Sequence, residues 1–138
     1  MILIPPNLDN CICTWLESLY PEEGCGLLLG ELTETGARAI EAWPAENTWT
    51  GDKKTRFEIA PEAMFRAQKT ARERGLEIIG VYHSHPDHPA IPSSTDRELA
   101  WPGYSYVIVS IGNGKAIEAR SWRLDENERF QEEAIERA

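Results

Sequence analysis

His83 and His85 stand two positions apart at the end of the apolar run Ile78-Ile79-Gly80-Val81-Tyr82. That run reads as a buried strand. Side chains at i and i+2 of a strand share a face, so the two imidazoles converge on one point. A proline-punctuated loop leads from them to Asp96. Two imidazoles and one carboxylate suit a tetrahedral zinc whose fourth position stays open to water, the arrangement of catalytic rather than structural sites. Asp87 and His88 lie in the same loop and compete as ligands, but they read more simply as solvated loop residues. Asp96 has a second use, since Ser93-Ser94-Thr95-Asp96 is good helix N-terminus chemistry. The two uses coexist if one carboxylate oxygen faces the metal.

A zinc hydrolase also needs a base that takes a proton from water and delivers it to the leaving amine. Glu22 and Glu23 precede the apolar run Cys25-Gly26-Leu27-Leu28-Leu29-Gly30, so either stands at a strand end where such a base belongs. The simpler use for both is a solvated loop carboxylate. The hydroxyls of Ser93 and Ser94 are candidates to stabilise a developing oxyanion, and helix capping is their structural alternative.

The elements that must position these groups follow from pattern. A helix opens at Asn7-Leu8-Asp9 and stops before Pro21, with Ile12, Trp15, Leu16 and Leu19 as its buried stripe. Cys25 to Leu32 reads as a central strand, Glu34-Thr35-Gly36 as a turn, and Ala37 to Glu46 as an adjacent antiparallel strand. Asn47 to Arg56 is polar and irregular, an exposed loop. Phe57-Glu58-Ile59 is expected to be a short strand. Pro61 starts a second helix, marked by Met64, Ala67 and Ala71, and Gly75 caps it. The histidine strand follows, then a short helix from Ser93 or Ser94 to about Ala100. Tyr104 to Ile111 and Ala116 to Leu124 are strands joined at Gly112-Asn113-Gly114, a hairpin signal. The tail from Asp125 to Ala138 reads either as a charged helix or, through Phe130, Ala134 and Ile135, as an edge strand.

Composition narrows the function classes. A chain of 138 residues with 41% hydrophobic and 27% charged residues is a globular chain of single-domain size. A net charge of −9 argues against nucleic acid as a partner, because phosphate neutralisation needs a basic face. It also leaves no polybasic patch for a membrane surface. No apolar run approaches the roughly 20 residues of a membrane span, and the first residues lack the basic and apolar regions of a signal peptide. The chain is expected to be cytosolic. Cys11, Cys13 and Cys25 form an odd set without C-x-x-C spacing, so they are expected to be reduced thiols, with Cys25 a core residue rather than a ligand. No feature of the sequence specifies an oligomeric state.

Pro21-Glu22-Glu23-Gly24-Cys25-Gly26, then Gly80-Val81-Tyr82-His83-Ser84-His85-Pro86, then Ser93-Ser94-Thr95-Asp96, together resemble the JAMM/MPN metalloprotease family. The family pattern is a glutamate, H-[ST]-H-P and S-x-x-D. Ser93 stands seven positions after Pro86 and Asp96 three beyond it, which completes the match. The resemblance also covers Asn47 and the segment from Phe57 to Pro61. It implies a mixed α/β fold in one domain: a curved, partly barrel-like sheet flanked by helices, similar to the cytidine deaminases. It implies zinc held by His83, His85 and Asp96, with Glu23 as acid/base through its E-x-x-G context and Ser93 as oxyanion stabiliser. The implied reaction is hydrolysis of a peptide or isopeptide bond after a terminal glycine. The short chain looks like the compact prokaryotic branch, whose substrates are ubiquitin-like or sulfur-carrier proteins ending in Gly-Gly. The alternative is a non-catalytic MPN scaffold, but scaffolds typically lose ligands that are all present here. A zinc deaminase would need H-x-E and P-C-x-x-C, and neither occurs. Trp49, Trp101 and Tyr104 are candidate groove residues, and Asn47 to Arg56 is the candidate clamp for an extended tail.

Overall fold

Prolines set where the helices begin. The computed structural model describes residues 1–137. After the short strand β1 (Ile2–Leu3), Pro5 is extended and Pro6 takes the first position of α1 (Pro6–Leu19), where a missing N–H costs nothing. Ile12 and Leu16 are its buried stripe. The strands β2 (Cys25–Thr33) and β3 (Gly36–Ala45) then form an antiparallel pair. Pro61 opens α2 (Pro61–Glu73), which buries Ala67 and Ala71, and Gly75 follows at φ +71°. Next come β4 (Glu77–Pro86), the short α3 (Ser94–Leu99), β5 (Ser105–Gly112) and β6 (Lys115–Leu124). Asn113 and Gly114 between β5 and β6 both have positive φ, 51° and 80°, as a two-residue primed turn requires. The chain ends in β7 (Phe130–Glu133) and β8 (Ile135–Glu136).

All eight strands form one mixed sheet in the order β7-β6-β5-β4-β2-β3-β1-β8. β4 lies at its middle, antiparallel to β2 and parallel to β5. One core joins α1 to Leu28, Ile79, Tyr82, Val107 and Val109; the other joins α2 to Leu27, Leu29, Ile78, Val81 and Tyr106. β4 is thus covered on both faces, which explains its near-continuous apolar sequence. β7 and β8 are separated only by Ala134, yet they occupy opposite ends of the strand order. The sheet therefore curls until its edges meet at the tail, where Ile2 N–H donates to the Ala134 carbonyl at 3.0 Å. This nearly closed sheet with flanking helices is the architecture implied by the resemblance.

Two expectations need correction. Phe57-Glu58-Ile59 is not a strand, because its neighbouring backbone is engaged elsewhere. Asn47 Oδ1 accepts from Glu58 N–H at 3.1 Å, and the Glu58 carbonyl accepts from Thr48 N–H at 2.9 Å. The helical alternative for the tail is also wrong. Phe130 packs edge-on against Tyr106 at 5.6 Å and Ile135 packs on the α1 core, while the outer edges of β6 and β1 gain ladder partners. Backbone groups at those edges need partners more than the tail's charges need a helix. No helix among the described residues is long and apolar enough to cross a membrane.

Candidate metal centre

A bulge in β4 decides which face carries the histidines. Leu28 pairs with Gly80 and Leu29 with Ile78, so Ile79 is an extra residue against β2. Such an insertion reverses the in-out alternation beyond it. Ile78 and Val81 accordingly share the α2 core while Ile79 faces α1. From Val81 onward the odd positions point to the α2 side, and His83 and His85 go with them. Both are buried, at 1% and 6% exposure. Their Nε2 atoms lie 3.2 Å apart.

The loop after β4 is pinned so that Asp96 returns to the same point. Ser110 Oγ donates to the His88 carbonyl at 2.6 Å, and Trp122 Nε1 donates to the Ala90 carbonyl at 3.0 Å. His85 Nδ1 lies 2.8 Å from the Pro89 carbonyl, so the loop also orients the ring. At its end Ser93 caps α3. Its hydroxyl accepts from Asp96 N–H at 3.0 Å and its N–H donates to Asp96 Oδ2 at 2.9 Å. Asp96 Oδ2 is also 3.1 Å from His85 Nε2, and Oδ1 is 3.3 Å from His83 Nε2. Burial pushes the Asp96 carboxyl up. The charge on His83, hydrogen bonds to both imidazoles and the Ser93 N–H outweigh that and hold it well below the usual carboxylate range.

Cys25 pairs with His83 across the β2–β4 ladder, and Ser84 N–H donates to the Gly24 carbonyl at 3.0 Å. Continuing that register puts Glu23 beside His85 and on its face. Glu23 is buried while Glu22 is exposed. Glu23 Oε1 has no hydrogen-bond partner. Burial pushes its carboxyl up to about 8, with His85 opposing the rise and Asp96 adding to it. Gly26, the glycine of E-x-x-G, leaves room for the Tyr82 ring, which a Cβ would meet at 2.1 Å.

Sequence reasoning did not find what Asn47 does. Its Nδ2 donates to the carbonyls of Glu23, at 2.9 Å, and Arg56, at 3.1 Å. Its Oδ1 accepts from the N–H groups of Trp49 and Glu58. This one buried amide ties the Glu23 backbone to the loop beyond β3. Ser110, Trp122 and the Pro89 carbonyl were also missed. Their residue types carry no signal until the strands are placed.

The donor set fits a small divalent cation. With Nδ1–H given to Pro89, a cation that takes the place of the Nε2 proton would find on His85 a lone pair aimed at the point shared with the second imidazole and the carboxylate. His83, His85 and Asp96 each offer an atom within 4.8 Å of the others, and such a cluster is stabilised by a positive charge at its centre. Other candidates stand apart. His88 is exposed, and both Asp87 oxygens accept from the Tyr20 hydroxyl, at 2.9 and 2.8 Å. The Cys25 thiol faces the Ala45 carbonyl, and burial, with Glu23 adding, pushes it up to about 12. The three cysteines are free.

A cavity of about 230 Å³ opens beside the cluster. His83 and Asp96 lie in its wall, flanked by residues 55–59 on one side and by Trp101, Tyr104 and Phe130 on the other. Trp49 instead carries the Arg56 guanidinium 3.8 Å above its ring.

Comparison with known proteins gives the same assignment. The family model described as prokaryotic homologs of the JAB domain matches residues 8–125. A desampylase of Haloferax volcanii is 36% identical over 107 residues, covering 77% of this chain and 73% of that protein. A CysO-cysteine peptidase of Mycobacterium tuberculosis is 28% identical over 126 residues, covering 90% and 83%. A JAB1/MPN domain protein of Archaeoglobus fulgidus superposes with a TM-score of 0.61 at 19% identity, over 99% of this chain and 94% of that one, a likeness of fold alone. With the motif, the fold and the family model in agreement, this chain belongs to the prokaryotic homologues of the JAB domain, the prokaryotic JAMM/MPN family.

Proposed function

We propose that this chain is a zinc-dependent peptidase that cuts a peptide or isopeptide bond after the C-terminal Gly-Gly of a ubiquitin-like or sulfur-carrier protein. The observation that carries the reading is Glu23: a buried carboxyl beside His85 whose Oε1 has no hydrogen-bond partner. A scaffold has no use for so costly a group, whereas a general base needs a carboxyl with a free oxygen facing the reacting water. Relatives named as a desampylase and a CysO-cysteine peptidase support hydrolysis.

His83, His85 and Asp96 would hold the zinc. When bound, it supplies a Lewis acid that polarises the scissile carbonyl and lowers the pKa of water toward ~7. Glu23 takes a proton and passes it to the leaving amine. Ser93 is exposed, and its hydroxyl would donate to the oxyanion that develops on the scissile carbonyl. Of the candidate clamp Asn47 to Arg56, Thr55 and Arg56 line the cavity together with residues 57–59, and this stretch would hold an extended tail by backbone hydrogen bonds. Glycine suits that approach because it has no side chain to clash.

The test uses a ubiquitin-like carrier fused to a short peptide through Gly-Gly or through Ala-Val. The Gly-Gly fusion should be cut by the zinc-loaded chain, and chelation should stop the cut. Glu23→Gln should retain zinc and lose on the order of 10²-fold or more in rate, while Glu22→Gln stays near wild type. Equal cutting of both fusions points to a general peptidase, and a wild-type chain without zinc rejects the proposal.

A further inference from the structure

We propose that the Phe57 ring is the positioning partner of His83, holding by stacking an imidazole whose Nδ1 no hydrogen bond anchors. The inference rests on the zinc reading of the site and adds a residue to it. The two histidines are oriented by different means. His85 is anchored through Nδ1 to the Pro89 carbonyl at 2.8 Å. Nδ1 of His83 is buried and has no partner. A metal-binding histidine ordinarily gives its other N–H to an acceptor that fixes the ring's direction and tautomer. His83 has an aromatic face instead: its ring lies on Phe57 with centroids 4.5 Å apart and planes 29° apart. The edge of His85 closes the other side, at 5.0 Å and 60°. Between the two rings, a rotation that would swing Nε2 away from Asp96 meets van der Waals contact.

Phe57 is in turn held by its neighbours. Asn47 bonds the Arg56 carbonyl on one side of it and the Glu58 N–H on the other. The same side chain binds the Glu23 carbonyl. One buried amide thus sets the base and, through Phe57, one of the two imidazoles. Stacking fixes the plane of a ring and leaves its tautomer free, so His83 and His85 are unequal donors toward a shared cation.

The test compares zinc affinity, by chelator competition, in the metal-stripped wild type, Phe57→Leu and Phe57→Tyr. Leucine keeps bulk without a planar face, and tyrosine keeps the face. Phe57→Leu should bind zinc ~10–100-fold more weakly, the usual cost of losing a partner that orients a ligand, and Phe57→Tyr should stay within about 3-fold of wild type. With Co²⁺ in place of zinc, the visible bands should shift in Phe57→Leu alone. The melting temperature of each metal-free chain reports packing separately. The inference is overturned if Phe57→Leu binds zinc like wild type, or if it only lowers the metal-free melting temperature while the cobalt bands stay put. It is equally overturned if both variants lose the same affinity. A wild type that binds no zinc overturns the proposed function itself.

Discussion

Glu23 makes the metal-stripped chain sensitive to alkali. Its carboxyl sits at about 8 against an ordinary value of 4.5, so between those values the folded state keeps a proton that the unfolded chain has lost. Stability from this group is complete below the ordinary value and drains away as pH rises through about 8. Asp96 works the other way: its lowered value stabilises the fold above the ordinary aspartate range and is lost on acidification. Chelator-treated wild type should therefore show a larger drop in urea midpoint between about pH 5.5 and 8.5 than Glu23→Gln does. Equal drops would mean that Glu23 is solvated when metal is absent. The Ser93 hydroxyl caps α3, and the proposed reaction gives the same atom a second duty. Ser93→Ala should lower turnover with zinc retained, by ~2.7–4 kcal/mol of transition-state energy if the hydroxyl holds the oxyanion. The lost cap should cost a further ~1 kcal/mol of stability. A stability loss at unchanged turnover would leave the hydroxyl as a cap only.

At the level of elements, the loop between β4 and α3 works as a spacer whose shape is fixed from outside. Trp122 on β6 holds the Ala90 carbonyl and Ser110 on β5 holds the His88 carbonyl. Trp122→Phe keeps the ring and removes the donor, leaving a carbonyl of a fully buried residue without a partner. The expected cost is ~1–3 kcal/mol, seen as a lower melting temperature, with weaker zinc binding because Pro89 lies in that loop and Asp96 follows it in the first turn of α3. Unchanged zinc affinity would show that the loop is rigid without the tie. The sequence made the ligand strand, the loop and the helix-cap aspartate legible, because an i, i+2 pair and S-x-x-D are local patterns. It also marked the helices, through Asn7-Leu8-Asp9, Pro61 and their apolar stripes. It did not show the extra residue at Ile79, which sets the face of His83, because a bulge depends on the partner strand. Asn47 and Phe57 were opaque for the same reason: their partners lie far along the chain.

For the whole molecule, the tail is the closing piece. Residues 130–136 pair with β6 at one end of the sheet and with β1 at the other. Phe130 also lines the cavity beside the site. Ending the chain after Arg129 removes both pairings, the Phe130–Tyr106 contact and one wall of that cavity. The expected result is a lower urea midpoint than Phe130→Ala gives alone, together with weaker binding of a carrier tail. A truncated chain as stable as Phe130→Ala would show that β8 contributes little. Tail-as-strand was one of two alternatives in the sequence, and only the curl of the sheet decides it, since helix charges and an edge-strand apolar pattern coexist there.

The same arrangement bears on self-association. An open sheet has two exposed ladders that invite pairing with another chain. Here one short stretch covers both, so its loss would bare them together. The outer ladder of β6 at Ser121–Leu124 would become a template for edge-to-edge aggregation. The tail is thus a guard against fibre-like stacking, and loss of solubility should be the first visible sign of its removal.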